Sequence, residues 1–255
     1  MTLVAQTAST NALAMAALRG GAPHGACWVA DAQTGGRGRR EVGGEARSWH
    51  SPAGVNLYTS TVLRPQIEPA RASTLTLAVA VGVTRALDAC AHAPLEVRIK
   101  WPNDLYLGDR KLAGILTEAA FSGMALDGVV VGLGLNVNMQ PEDAPQALQG
   151  RVTSLRAHTG RVWDRLSLCL AVREHVVAAV EEVAREGLDA VMPQLRARDY
   201  TLGKQLQWMH KGHWQRGVAR GMNAQGQLQI EDEHGHTHAM SAGEVRFETS
   251  TGGLI

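Results

Sequence analysis

The spacing of hydrophobic and polar positions changes several times along the chain, and each change marks an element. Leu3-Val4 suits a short strand. Ser9-Thr10-Asn11 then offers helix-cap oxygens ahead of the Ala/Leu/Met run at 12–18, which Gly20-Gly21-Ala22-Pro23 brings to an end. A short apolar run at 26–30 and a Thr/Tyr/Val-rich run at 55–63 read as strands, whereas 72–90 has the apolar spacing and Ala content of a core helix packed on a sheet. The stretch 98–118, RIKWPNDLYLGDRKLAGILTE, reads as a two-stranded unit: Pro102 breaks the first run, Asn103-Asp104 suit a turn, Gly108-Asp109 forms a hairpin turn, and 111–117 returns. Val129-Val130-Val131 predicts a buried strand running into GLGLNVN at 132–138. The segment 142–159 reads as polar loop, 164–186 as a long amphipathic helix capped by Asp164, and 188–198 as a second helix. The fold class predicted is α+β, a mixed sheet packed with helices.

Near Tyr200 the pattern changes again. Short alternating runs at 205–209, 214–220, 228–232, 237–240 and 245–248, with tight turns at 223–226 and 233–235, predict a small all-β barrel that leans on the first domain. The domains expected are 1–200 and 201–255. At 255 residues and 45% hydrophobic content the chain can bury a full core. A net charge of +1 gives no global field to gather nucleic acid or an anionic membrane, so neither is expected as a partner. Cys27, Cys90 and Cys169 are odd in number and far apart, which suits free thiols in a reducing cytosol. The run at 12–18 lacks the basic residues that precede a signal-peptide core, and the longest apolar run, 75–83, falls short of the roughly 18 residues of a membrane helix; a cytoplasmic location is the expectation. His210, His213, His234, His236 and His238 read as surface histidines, with no metal expected there.

Two segments hold most of the candidate chemistry. The chain has 21 Arg but four Lys, and two of the four, Lys100 and Lys111, fall within 98–118, as if a compact point charge were wanted there. Asp104 and Lys111 then flank a hairpin, with Gly114 near enough to let a ligand approach the backbone. In the second segment, Gly35, Gly36 and Gly38 free the backbone to wrap an anion while Arg37, Arg39 and Arg40 supply bidentate donors; a solvated loop with exposed arginines is the other reading. It is not a P-loop, since no Gly-Lys-Ser/Thr follows. The glycines predict disorder over 34–45 without ligand. Arg47 and Trp49 come next, and Trp49 either packs in the core or clamps a planar ligand. Ser9, Thr10 and Asn11 could be no more than a helix cap. Gly132 and Gly134 could be a bulge or a shelf for a ligand, with Asn136 and Asn138 as donors and acceptors.

Together, Ser9-Thr10-Asn11, Gly36-Arg37-Gly38-Arg39-Arg40, the KWPND and KLAGIL motifs at 100–104 and 111–116, and Gly132 to Asn136 resemble the biotin protein ligases, closely over 8–140 and more loosely beyond. The resemblance implies a class II synthetase-like catalytic domain and an SH3-like C-terminal barrel. It also implies ATP and Mg2+ as cofactors, biotin as substrate, biotinyl-5'-adenylate as intermediate, and a lysine of a biotin carboxyl carrier protein as acceptor. It places Lys111, as a catalytic residue, between the biotin carboxyl and the α-phosphate, with Arg37 and Arg39 holding the charged linkage of the adenylate and Asp104 handling Mg2+ or orienting the incoming lysine. Ser9, Thr10, Asn11 and Gln33 would bind the ureido end, and Gly36, Gly114 and Gly134 would give backbone approach. Arg40, Arg47, Trp49, Asn103 and Asn136 would hold the adenylate.

Ser48 stands where the family commonly has a basic residue, 41–45 is longer than usual, and Arg151 takes the place of an aromatic over adenine. The biotin motif begins at Ser9, which leaves no room for a preceding helix-turn-helix, so no repressor role is expected. A lipoate or octanoate transferase and a non-catalytic biotin-binding module are the alternatives. Whether a dimer forms through the sheet edge stays open.

Overall fold

The computed structural model describes residues 1–40, 46–91, 93–210, 212–241 and 245–247, with backbone only at 40, 46 and 210. Among these, the strands form three sheets. The largest has the order β1-β2-β5-β9-β8-β7-β6, built from β1 (Thr2–Thr7), β2 (Cys27–Gln33), β5 (Leu57–Leu63), β6 (Val97–Lys100), β7 (Asp104–Leu107), β8 (Arg110–Ser122) and β9 (Ala125–Leu135). Only β1 and β2 run parallel; the other pairs are antiparallel. The predicted two-stranded unit at 98–118 is therefore a three-stranded meander. Asp104–Leu107 has four residues, too few to show an alternation of its own, yet it pairs with both neighbours.

One helix, α1 (Thr10–Arg19), packs on β5 and β9. On the other layer lie α2 (Leu75–Cys90) and α4 (Arg165–Glu186), in close contact with each other. The first is buried almost all round, and Gly82 permits the approach: a Cβ there would sit 2.7 Å from His175 O and Val176 Cα. By length and composition the run Pro69–Cys90 is apolar enough to cross a bilayer, which the 75–83 run alone did not suggest; here that surface meets protein. Asp164 caps α4 through Leu166 N and Ser167 N, as predicted.

Two predicted elements differ. The polar stretch 142–159 contains a short helix, α3 (Leu155–Thr159), capped by Ser154 and too brief for a periodic signal. The helix expected over 188–198 is divided: a 3-10 turn, Leu188–Ala190, precedes α5 (Met192–Ala197), which has Pro193 in its first turn.

The C-terminal strands β10 (Gln205–His210), β11 (His213–Met222), β12 (Leu228–Asp232), β13 (Thr237–Met240) and β14 (Val245–Phe247) form an antiparallel sheet in the order β13-β12-β11-β10-β14. Among the described residues no pairing joins β13 to β14, so closure into a barrel is not seen. Asp232 holds the β12–β13 turn. It pairs with His238 and accepts from the backbone N–H groups of His236 and His234, which keeps its carboxyl well below the usual range. This sheet shares its buried residues with the rest of the core, and Trp101 Nε1 donates to Gly226 O at 3.0 Å across the junction.

Candidate active site

A cleft of about 1600 Å³ opens over the β7–β8–β9 face and is closed on one side by the C-terminal sheet. One end is uncharged. Ser9 occupies the cap position of α1 but makes no side-chain cap hydrogen bond, and Thr10 and Asn11 are buried at 3% and 5% exposure. That resolves the ambiguity of the triplet: these side chains face the cleft and not the helix end. The Thr10 backbone N–H donates to Gln33 Oε1 at 2.9 Å, and Gln33 Nε2 donates to Ser51 Oγ at 3.1 Å.

The other end is cationic. Lys111 Nζ lies 2.8 Å from Asp104 Oδ2 across the β7–β8 hairpin, as the sequence pattern placed them. Asp104 Oδ1 is buried and has no hydrogen-bond partner among the described residues. Arg37, Arg39, Arg47 and Arg151 also line the cleft. Arg39 donates to Asn103 Oδ1 at 3.2 Å, while Asn103 Nδ2 is anchored on Ile115 O. Asn136 lines the same wall and donates to Thr153 O at 3.0 Å, bracing the loop that carries Arg151.

The Gly/Arg segment is not a disordered loop over its described part. Arg37–Arg40 forms β3, paired with β4 (Ala46–Ser48), and Trp49 N donates to Gly36 O at 2.8 Å. Strand pairing overrides the entropy of the glycines. Residues 41–45, the Arg40 side chain and Lys211 lie outside the described residues. A Cβ at Gly36 would lie 2.7 Å from Trp49 O and 2.8 Å from Ser51 Oγ, so the glycine lets the backbone at 36 meet that at 49 just ahead of the strand pair.

Gly114 and Gly134 face each other across β8 and β9. The shelf they make holds the Trp49 indole, whose Nε1 is buried without a partner among the described residues. Lys111 Nζ stands 5.3 Å from the Trp49 ring centroid.

Sequence reasoning gave no role to Ser51, Ser60 or Glu118, which bond to residues lining the cleft, and noted Lys100 only for the scarcity of lysine. Ser60 sits inside a strand whose every residue is buried, so no alternation singles it out. Lys100 had a signal in the scarcity of lysine. It is 8% exposed, its Nζ lies 3.3 Å from Tyr106 Oη and 4.9 Å from the Phe247 ring centroid, and burial pulls its pKa down to about 8. Below about pH 8 this lysine is charged in both folded and unfolded chains, and the full cost of its burial is present. Between about 8 and 10.5 the unfolded chain binds more protons, so stability rises with pH. Lys100→Met is expected to be more stable at pH 7 by about 1–3 kcal/mol and to lack this rise. Urea unfolding of both proteins at pH 7 to 10 checks it, and parallel pH dependences would show that Lys100 titrates normally.

A mixed sheet carrying a cleft with amide and hydroxyl groups at one end and lysine and arginines at the other defines a protein shaped to hold a small polar molecule against an anion. Residues 3–136 match the Biotin/lipoate A/B protein ligase family, and the chain belongs to it. It is 34% identical over 248 residues to the Biotin--[acetyl-CoA-carboxylase] ligase of Mycobacterium tuberculosis, covering 95% of this chain and 87% of that one. With the Bifunctional ligase/repressor BirA of Bacillus spizizenii it shares 36% identity over 178 residues, 70% of this chain and 51% of the relative; the chain thus spans about half the length of the first curated relatives it matches. The structure resembles a biotin protein ligase from Aquifex aeolicus solved in complex with biotin and ATP, at a TM-score of 0.78 and 27% identity over 98% of this chain and 99% of that one.

Proposed function

We propose that this chain is an ATP-dependent biotin protein ligase. It activates biotin to biotinyl-5'-adenylate, releasing pyrophosphate, and passes the biotinyl group to a lysine of a biotin carboxyl carrier protein, releasing AMP. The observation that carries the reading is the position of Lys111, at the boundary between the uncharged end of the cleft and the arginine end. Adenylate formation joins a carboxylate oxygen to the α-phosphorus, so a fixed cation between the two reacting groups offsets their repulsion and the charge that builds on the phosphate oxygens.

In this reading Thr10 and Gln33 hold the ureido ring, the Gly114–Gly134 shelf passes under the acid once Trp49 lifts to cover it, and Arg37, Arg39 and Arg47 hold the phosphate. Residues 1–200 form the catalytic unit, and the sheet from 201 onward closes the nucleotide end through Lys204, Arg246 and Phe247. Mg2+ fits as an ion that enters with the nucleotide: Asp104 Oδ1 is a buried carboxylate oxygen without a partner among the described residues, and magnesium is commonly held by one or two carboxylates plus phosphates. Once bound, it would neutralise phosphate charge and favour pyrophosphate as leaving group.

Pyrophosphate exchange into ATP, run with biotin and in parallel with octanoate or lipoate, tests the proposal. Exchange with biotin alone is expected. Exchange with the fatty acids alone would assign the chain to the lipoate branch of its family, and exchange with none would leave a binding module.

A further inference from the structure

The geometry points to Glu118 as a positioning residue that makes the uncharged end of the cleft selective for an acid carrying N–H donors at its far end. This rests on the proposed biotin reading and adds to it a residue outside the motifs that suggested it.

The argument is one of proton direction. An ionised carboxylate only accepts hydrogen bonds, so the atom of Asn11 that meets Glu118 Oε2 at 2.7 Å is the amide nitrogen, which also donates to Leu116 O at 3.3 Å. Both amide hydrogens are then in use, and Asn11 Oδ1 is left to accept. It does so from Ser60 Oγ at 2.5 Å. The Ser60 hydroxyl has a single proton, and its oxygen also lies 2.8 Å from Thr10 Oγ1. With that proton on Asn11, Ser60 accepts from Thr10. Thr10 Oγ1 lies 3.1 Å from Gln33 Oε1 as well, and with its proton directed to Ser60 both oxygens turn lone pairs toward the cleft. Two acceptors at that separation are satisfied by a ligand N–H placed between them, which a ureido ring supplies and a plain acyl chain does not.

Burial makes the direction stick. Ser60 is 0% exposed, Thr10 3% and Asn11 5%, so no bulk water offers substitute partners. Gln33 heads a separate chain: its Nε2 donates to Ser51 Oγ, which donates to Trp49 O at 3.0 Å.

Glu118→Leu removes the nearer of the amide's two acceptors and leaves only Leu116 O at 3.3 Å to hold the Asn11 orientation that sets the sense of the relay. Glu118→Gln keeps an acceptor oxygen that can rotate onto Asn11 Nδ2. Steady-state exchange kinetics with wild type and both variants are expected to show the biotin KM raised about tenfold or more in Glu118→Leu and less than about threefold in Glu118→Gln, with kcat and the ATP KM within about twofold in each. A second readout does not depend on the ligand: deuterium uptake at 10–13, the first turn of α1 that Asn11 ties to β8, is expected to rise in Glu118→Leu and to stay at the wild-type level in Glu118→Gln. A biotin KM unchanged in Glu118→Leu, a rise shared equally by biotin and ATP, or unchanged uptake at 10–13 overturns the proposal. Should the wild type give no exchange with biotin, the functional reading fails separately, and the uptake comparison decides the role of Glu118.

Discussion

Lys111→Ala is expected to lower biotin-dependent pyrophosphate exchange by about 100- to 1000-fold while leaving the fold in place. The magnitude is that of removing one preorganised charge-stabilising group from an active site. The selectivity follows from the surroundings. Lys111 is paired with Asp104 at 2.8 Å, with side-chain exposures of 28% and 19%, so its loss strands a carboxylate that water still reaches and that keeps Lys100 as a cationic neighbour. The backbone at 111 is held independently, since Lys111 N donates to Arg151 O at 2.9 Å and Lys111 O accepts from Thr153 N at 3.0 Å. Those bonds do not depend on the side chain. Lys111→Arg should rescue poorly, because a planar fork on a longer stem cannot put its charge where the compact ammonium stands. Single-turnover adenylate formation and a thermal melt, measured side by side, check both halves. Wild-type turnover by Lys111→Ala would remove the residue from the mechanism, and a collapse of the melt would make it a structural cation instead.

Much of this site was legible in the residues because its chemistry is local in sequence. Asp104 and Lys111 are joined by one tight turn, and a Gly-Asp pair between apolar runs announces such a turn. The arginine segment likewise declared its donors, though not its strand pairing, which depends on partners across 41–45. What stayed hidden is what only the sheet brings together. Glu118 and Asn11 are 107 residues apart, and Ser60 reaches Asn11 over 49. The Ser9-Thr10-Asn11 triplet shows the limit most plainly, because a cap and a pocket wall call for the same side chains; burial by β5 and β9 is what separates the two readings. Trp49 was similarly double. It could fill a core or lie against a ligand, and the fold gives it a shelf of glycines on which it stands.

That shelf leads to the other large effect. Gly134→Val is expected to raise the biotin KM by about 100-fold with little change in stability. A Cβ at 134 would collide with the indole, lying 2.7 Å from Cζ2 and nearer still to Nε1 and Cε2, and one at 114 would sit 3.0 Å from Cζ3. A side chain at 134 therefore displaces Trp49 and occupies the ground where the acid is proposed to lie; misplacing reacting groups by about 1 Å can cost about 100-fold. The strand itself has no reason to weaken, since valine suits an extended central strand better than glycine does. Biotin binding by calorimetry and Trp49 emission, assigned by difference from Trp49→Phe, report the two consequences separately. If the indole only fills space, Gly134→Val will shift the emission and leave biotin binding intact. If the acid and the indole use the shelf in turn, both will change, and adding Trp49→Ala to Gly134→Val will not recover biotin affinity, because the valine still stands where the ligand must pass.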